Sequence, residues 1–204
     1  MKLLYLIAIS LMICNFSLKS FAIEVQKASD FAEGVVKVAS QTASNKSTTK
    51  EKKISKLIDL FENTYDIKNA AKFVIGPKWK ELSDTQKENF ISVYKTYLVT
   101  AQTNNVMNFL SSGISYAISD AVQSSASSAS VKFNINYKSK DGQSKSINLE
   151  FVIKENKEGE LKVFDVVFEG ISLLQSQRDE FSSVINNKGF EELVSVIKKK
   201  NQSK

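Results

Sequence analysis

SVKFNINYKSKDGQSKSINLEFVIK, Ser130 to Lys154, decides the fold. Val131, Phe133, Ile135 and Tyr137 alternate with Lys132, Asn134, Asn136 and Lys138. Ile147, Leu149, Phe151 and Ile153 alternate with polar neighbours except Val152. Successive side chains of a strand point to opposite faces, so this period of two describes an antiparallel pair with one buried face. Asp141-Gly142 marks the turn between them. Both apolar sets fall on odd numbers, so facing residues must have numbers that sum to an even value. A two-residue Asp-Gly turn would set Phe133 opposite Glu150, on the wrong face. The loop therefore has an odd number of residues or a bulge intervenes. Phe133 is expected beside Leu149 or Phe151.

A third strand follows at Leu161 to Phe168, apolar on both parities around Asp165. Either both of its faces are covered or it carries a bulge. An edge strand is expected at Ile114 to Ile118. Upstream the period changes to that of helices. Phe31, Val35 and Val38 mark a first helix, followed by a polar loop from Gln41 to Thr49. Ile54, Leu57, Ile58 and Phe61 mark a second. Asp66 caps a third that carries Ile67, Ala70, Ala71 and Val74, and Gly76-Pro77 stops it. Ser83-Asp84-Thr85-Gln86 reads as a capping box opening a long helix. That helix bears Phe90, Val93, Tyr94, Tyr97, Leu98 and Ala101 and extends toward Met107 and Leu110, with Ser111-Ser112-Gly113 at its end. After Gly170, Leu174, Phe181 and Ile185 sketch another helix. Phe190, Leu193, Val194 and Ile197 form the last, and Lys198 to Lys204 reads as a frayed basic tail. Helices, then strands, then helices make an α+β plan: an antiparallel sheet of about four strands with helices over one face.

Composition narrows the chemistry. The 204 residues contain no histidine, which removes every mechanism built on an imidazole base or ligand. The single cysteine, Cys14, lies in a leader-like segment, so the chain beyond it has no thiol nucleophile, thiolate metal site or disulfide. The seven glycines are too scattered for a dinucleotide fingerprint or a phosphate loop. Lys2, the apolar run from Leu3 to Phe16 and Ser20-Phe21-Ala22 read as a secretory signal over residues 1–22. The run is shorter than the ~20 residues of a spanning helix. Cleavage leaves one exported domain, residues 23–204, whose formal charge falls from +6 to +4. Its basic residues are lysines apart from Arg178, which argues against nucleic acid, whose readers rely on arginine forks.

Particular blocks suggest a family. VIGPKWKELSDTQKENFISVYKTYL (Val74–Leu98) resembles the segment in which periplasmic MlaC proteins carry a Leu-Gly-x-x-aromatic turn, a Ser/Thr-x-x-Gln cap and a long aromatic helix. LKVFDVVFEGISLLQSQRDEF (Leu161–Phe181) resembles that family's Tyr-Asp-Val…Glu-Gly-Val-Ser-Leu…Arg-x-x-Phe block. KGFEELVSVI (Lys188–Ile197) is similar to its closing helix. Phe164 stands where tyrosine is usual and Ile75 where leucine is, neither of which disturbs the apolar pattern.

The resemblance implies a phospholipid carrier of the Gram-negative periplasm, a monomer with no cofactor other than its lipid cargo and no bond chemistry. It implies acyl chains held in an apolar cavity between a curved sheet and its helices. It also implies exchange of lipid between an outer-membrane lipoprotein–porin complex and an inner-membrane ATP-driven transporter complex, maintaining outer-membrane asymmetry. Each methylene exposed to water costs about 0.8 kcal/mol, so some 30 methylenes cost roughly 24 kcal/mol and an unassisted crossing is negligible. On this reading Phe133, Ile135, Leu149, Phe151 and Ile153 on the sheet, Tyr94, Tyr97 and Leu98 on the long helix, and Val163 and Val167 on the third strand are the lipid-binding walls. From the residues alone the same face reads first as a core filled by helix side chains, and it is the resemblance that turns the reading to a pocket. Gly76, Trp79, Asp165, Gly170, Arg178 and Phe181 are expected to be structural: Trp79 as a packing anchor, Asp165 accepting backbone amides at a bulge, Arg178 forking onto Glu169 or Asp165. Two other readings stay open, an exported adaptor that binds only protein and a small isomerase or hydrolase using Asp165.

Overall fold

The computed structural model describes residues 23–110, 113–139 and 142–202. The leader with Cys14, the Ser111-Ser112 stop and Asp141 of the turn lie outside them. Helix α1 spans Val25–Ser44 and buries a stripe of small residues: Ala28, Ala32, Val35, Val36, Ala39 and Ala43. Small side chains let the helix approach the sheet closely. The expected face is thereby corrected, because Val38 points outward at 45% exposure. The expected loop from Gln41 is also shorter. Ala43 is fully buried, and Lys53 Nζ donates to its carbonyl at 2.8 Å, holding the last turn helical.

Helix α2 (Lys50–Thr64) buries Leu57 and Phe61. Helix α3 (Ile67–Ile75) is capped by Asp66, whose carboxylate accepts from the Asn69 amide at 3.3 Å. It ends at Gly76, whose φ of 64° and ψ of −139° lie in a region that suits glycine, and a 3-10 turn follows over Gly76–Glu81. Trp79 in that turn is partly buried and packs against the core. The capping box forms: Gln86 N donates to Ser83 Oγ at 3.2 Å and Ser83 N donates to Gln86 Oε1 at 3.0 Å. It opens α4 (Asp84–Leu110), 27 residues long.

The strands are β1 (Ile114–Ser125), β2 (Ser128–Lys138), β3 (Ser144–Glu155), β4 (Leu161–Phe168) and the short β5 (Ile171–Ser172). They form one antiparallel sheet in the order β1-β2-β3-β4-β5, five strands where about four are expected. The additional strand has two residues, and β1 runs well beyond Ile118. Phe133 lies opposite Leu149, and the Phe133 and Phe151 rings are 5.8 Å apart, as the odd parity requires. The last pair, Lys138 with Ser144, leaves an odd-numbered loop.

In β4 the bulge is real. Val152 pairs with Asp165 but Ile153 pairs with Val163, so Phe164 is the extra residue. Beyond it the inward side changes parity, and Val166 and Phe168 pair with the inward Phe151 and Leu149.

Helix α1 lies across the sheet against β1 to β4. Helix α5 (Leu173–Lys188) is capped by Ser172, whose hydroxyl accepts from Gln175 N at 2.9 Å, and α6 (Phe190–Gln202) closes the chain. Phe90 and Tyr94 of α4 pack on Phe181 of α5, and Phe90 also on Phe190 of α6. Much of the expected tail is thus ordered. Lys200 Nζ donates to Glu180 at 2.7 Å, and Asn201 Nδ2 donates to the Val93 carbonyl at 3.1 Å.

Candidate functional site

The alternation in β2 and β3 turns one apolar face toward α1 and α4, and the two helices do not fill all the space above it. A cavity of about 240 Å³ remains. Its sheet wall is Ile135, Ile147, Leu149, Phe151, Val166 and Phe168. Helix α1 contributes Val35, Val36 and Ala39, and the C-terminal half of α4 contributes Gln102, Asn105, Val106, Phe109 and Leu110. Tyr65 and Leu173 complete it. Among the described residues no charged side chain lines it. Such a wall gives van der Waals contact and freedom from water, which is what a hydrocarbon chain requires and what a polar solute does not.

Of the ten residues expected as walls, Ile135, Leu149 and Phe151 line this space. Phe133, Ile153 and Val163 point inward but are fully packed, beyond the cavity. Tyr94 belongs to the aromatic cluster with Phe90 and Phe181, its hydroxyl donating to Gln177 Oε1 at 2.6 Å. Tyr97 extends that cluster, with the Lys200 ammonium 5.7 Å from its ring. Leu98 borders a narrow crevice beside the cavity. Val167 pairs with Glu150 and Ser172 on the outward register, and Val166 and Phe168 take the positions its parity suggested, because the bulge at Phe164 reverses the pattern. Among the cavity residues not anticipated, Gln102, Val106, Phe109 and Leu110 follow one another at helical spacing, a signal legible in the sequence. Val36 and Ala39 carry no such mark.

Asp165 bridges β4 and α5. Its Oδ1 accepts from Val166 N at 2.8 Å and Leu174 N at 3.1 Å, and its Oδ2 accepts from the Ser172 hydroxyl, tying the bulge of β4 to the start of α5. The expected pairing of Arg178 with Glu169 or Asp165 is not made. Glu169 accepts from Asn148 N instead, while the Arg178 guanidinium lies 4.9 Å over the Phe73 ring. A Cβ on Gly76 would stand 3.2 Å from that guanidinium, so glycine there clears space for Arg178. Gly170 at φ 79° makes the turn from β4 into β5. Beside Arg178, a separate polar concavity includes Lys72 and Lys154, whose ammonium sits 3.2 Å over the Phe164 ring. Burial there holds the Lys154 pKa below its ordinary value, against the opposing pull of Asp66 and Asp165. Among the described residues no cluster of His, Cys, Asp or Glu is arranged for a metal ion, and no helix is long and apolar enough to cross a membrane.

The model of the MlaC protein family matches residues 29–199, which contain the whole cavity. The chain belongs to the MlaC family. Among solved structures, it is similar to a phospholipid-binding protein from Ralstonia solanacearum determined in complex with a phospholipid. The TM-score is 0.71 at 17% identity, covering 86% of this chain and 97% of the other. At that identity the likeness speaks for the fold, and the sheet and helices of this MlaC-family chain follow the same plan. No curated protein matches the sequence.

Proposed function

We propose that this MlaC-family chain is a periplasmic phospholipid carrier that holds acyl chains in the cavity between its sheet and α1 and α4. The observation that carries the reading is an uncharged, apolar space over the inward face of β2 to β4. The bound phospholipid of the Ralstonia protein, which shares the fold, supports the same assignment. The carrier works by transfer alone. A pocket that offers burial similar to a bilayer makes lipid exchange nearly isoenergetic, so docking to a membrane complex sets where lipid is taken up and released. On this reading an inner-membrane ATP-driven transporter and an outer-membrane lipoprotein–porin complex are the docking partners, and the traffic maintains outer-membrane asymmetry. The chain acts as a monomer after removal of residues 1–22, with phospholipid as cargo, no cofactor and no catalytic step.

The cavity lies below the ~300–1,000 Å³ usual for small-ligand sites, so a full acyl chain enters by displacing side chains. Organic extraction and mass spectrometry of the purified exported protein test the reading. Phospholipid in near-stoichiometric amount is expected, on a chain whose intact mass begins at Ile23. Protein that never carries lipid overturns it.

A further inference from the structure

Two buried polar side chains line the apolar cavity with no side-chain hydrogen-bond partner among the described residues. Tyr65, which ends α2, and Gln102, midway along α4, are each only 8% exposed. Neither the Tyr65 hydroxyl nor the Gln102 amide hydrogen-bonds to any described residue. They are not sealed in either. Among the described residues, Thr103 Oγ1 is the one side-chain polar atom both inaccessible and unbonded, so the polar atoms of Tyr65 and Gln102 open onto the space they line. Both residues border the cavity and also the adjoining crevice with Leu98 and Leu174, which places them together at one end of the site.

A buried hydroxyl and a buried amide without partners cost folding free energy, and leucine or phenylalanine at these positions would avoid it. Their presence in a wall whose other members, the exposed Asn105 apart, are apolar points to a ligand atom that completes them. The phenol O–H and the amide N–H both donate, and a ligand acceptor would complete these donors. Among the described residues no cation lines the cavity, so a phosphate or carboxylate would be left unpaired in a medium of low dielectric. A neutral carbonyl oxygen, with two lone pairs, has the right chemistry. Burial and the nearby charge of Asp165 raise the Tyr65 pKa, so the phenol stays a donor throughout the physiological range.

We infer that Tyr65 and Gln102 hold an acyl ester carbonyl of the bound lipid, making the cavity selective for ester-linked over ether-linked chains. This rests on the carrier reading and adds a specificity to it.

The test uses delipidated full-length protein and two phospholipids with the same headgroup and chain length, one diacyl and one dialkyl ether, in direct competition read by native mass spectrometry. Wild type is expected to take the ester lipid about 3- to 10-fold in preference, the net value of one or two neutral hydrogen bonds. In Gln102→Leu and in Tyr65→Phe the ester-to-ether ratio is expected to fall toward one. Gln102→Leu should also melt at or above the wild-type temperature when empty, since an unpaired amide is gone. Equal uptake of both lipids by wild type overturns the inference while leaving the carrier reading intact. Persistence of the preference in the double variant overturns it too, and reduces the polar pair to a site for structural water. Uptake of neither lipid by wild type overturns the carrier reading together with this inference.

Discussion

Phe151 and Phe133 touch across the β2–β3 pair, yet only one of them borders open space. Phe151 lines the cavity, while Phe133 is wholly enclosed. The difference sets two outcomes for one substitution. In Phe133→Glu an unpaired carboxylate enters a dry, filled core at a cost of several kcal/mol, comparable with the ~5–15 kcal/mol that stabilise a whole domain. That variant is expected to lose its far-UV circular dichroism or fail to accumulate. In Phe151→Glu water can reach the carboxylate through the empty cavity, so the variant should fold with a native spectrum while co-purifying with little or no phospholipid. A Phe151→Glu protein that folds and keeps wild-type lipid would remove this residue from the site. The sequence marks both phenylalanines as inward and nothing in it separates them. Which one meets free space depends on how α1 and α4 cross the sheet.

At the scale of elements, β4 shows where pattern reading stops. Alternation in β2 and β3 is broken only at Val152 and gives their register and faces directly. Phe164 interrupts it in β4, and with apolar residues on both parities no residue type betrays where the reversal falls. The bulge predicts a contrast opposite to that of a regular strand. Val167→Lys, on the outward register opposite Glu150, should keep lipid and stability within about 0.5 kcal/mol. Val166→Lys should lose lipid. Extracted phospholipid and urea midpoints read both, and the reverse result would mean that β4 pairs without the bulge. Helix α4 poses a related difficulty. Its N-terminal half meets α5 and α6 through Phe90 and Tyr94, and its C-terminal half meets the cavity through Gln102, Val106 and Phe109. One helical stripe serves two successive partners, so periodicity alone places Tyr94 and Tyr97 on an inward face without saying that the cavity begins only beyond Leu98. The caps depend on neighbouring residues only, which is why Ser83-Gln86 and Asp66 were legible throughout.

For the molecule as a whole, buried phenols tie stability to alkaline pH. Burial, reinforced by the charge of Asp165, raises the pKa of Tyr65 far above 10, and burial raises Tyr94 in the same direction, with Tyr97 adding to it. An unfolded tyrosine ionises near ~10. Below that pH both states hold the proton and stability is unaffected. Above it the unfolded chain loses protons that the native chain keeps, so stability falls as pH rises. The urea midpoint is therefore expected to decline from about pH 10 upward, and Tyr65→Phe to decline less steeply; an unchanged slope would show that water in the empty cavity solvates the ionised hydroxyl. The order β1-β2-β3-β4-β5 has a kinetic consequence of its own. Every strand pairs with its neighbour in the chain, so the sheet closes through short loops that cost little entropy. Helices α5 and α6 instead return to partners far upstream, as in Tyr94 with Gln177 and Val93 with Asn201. A chain emerging from its N-terminus can assemble the meander early, yet Phe90 and Tyr94 stay uncovered until the last thirty or so residues arrive. In that interval the exposed aromatic face is the part of the molecule that a holding chaperone has reason to grip.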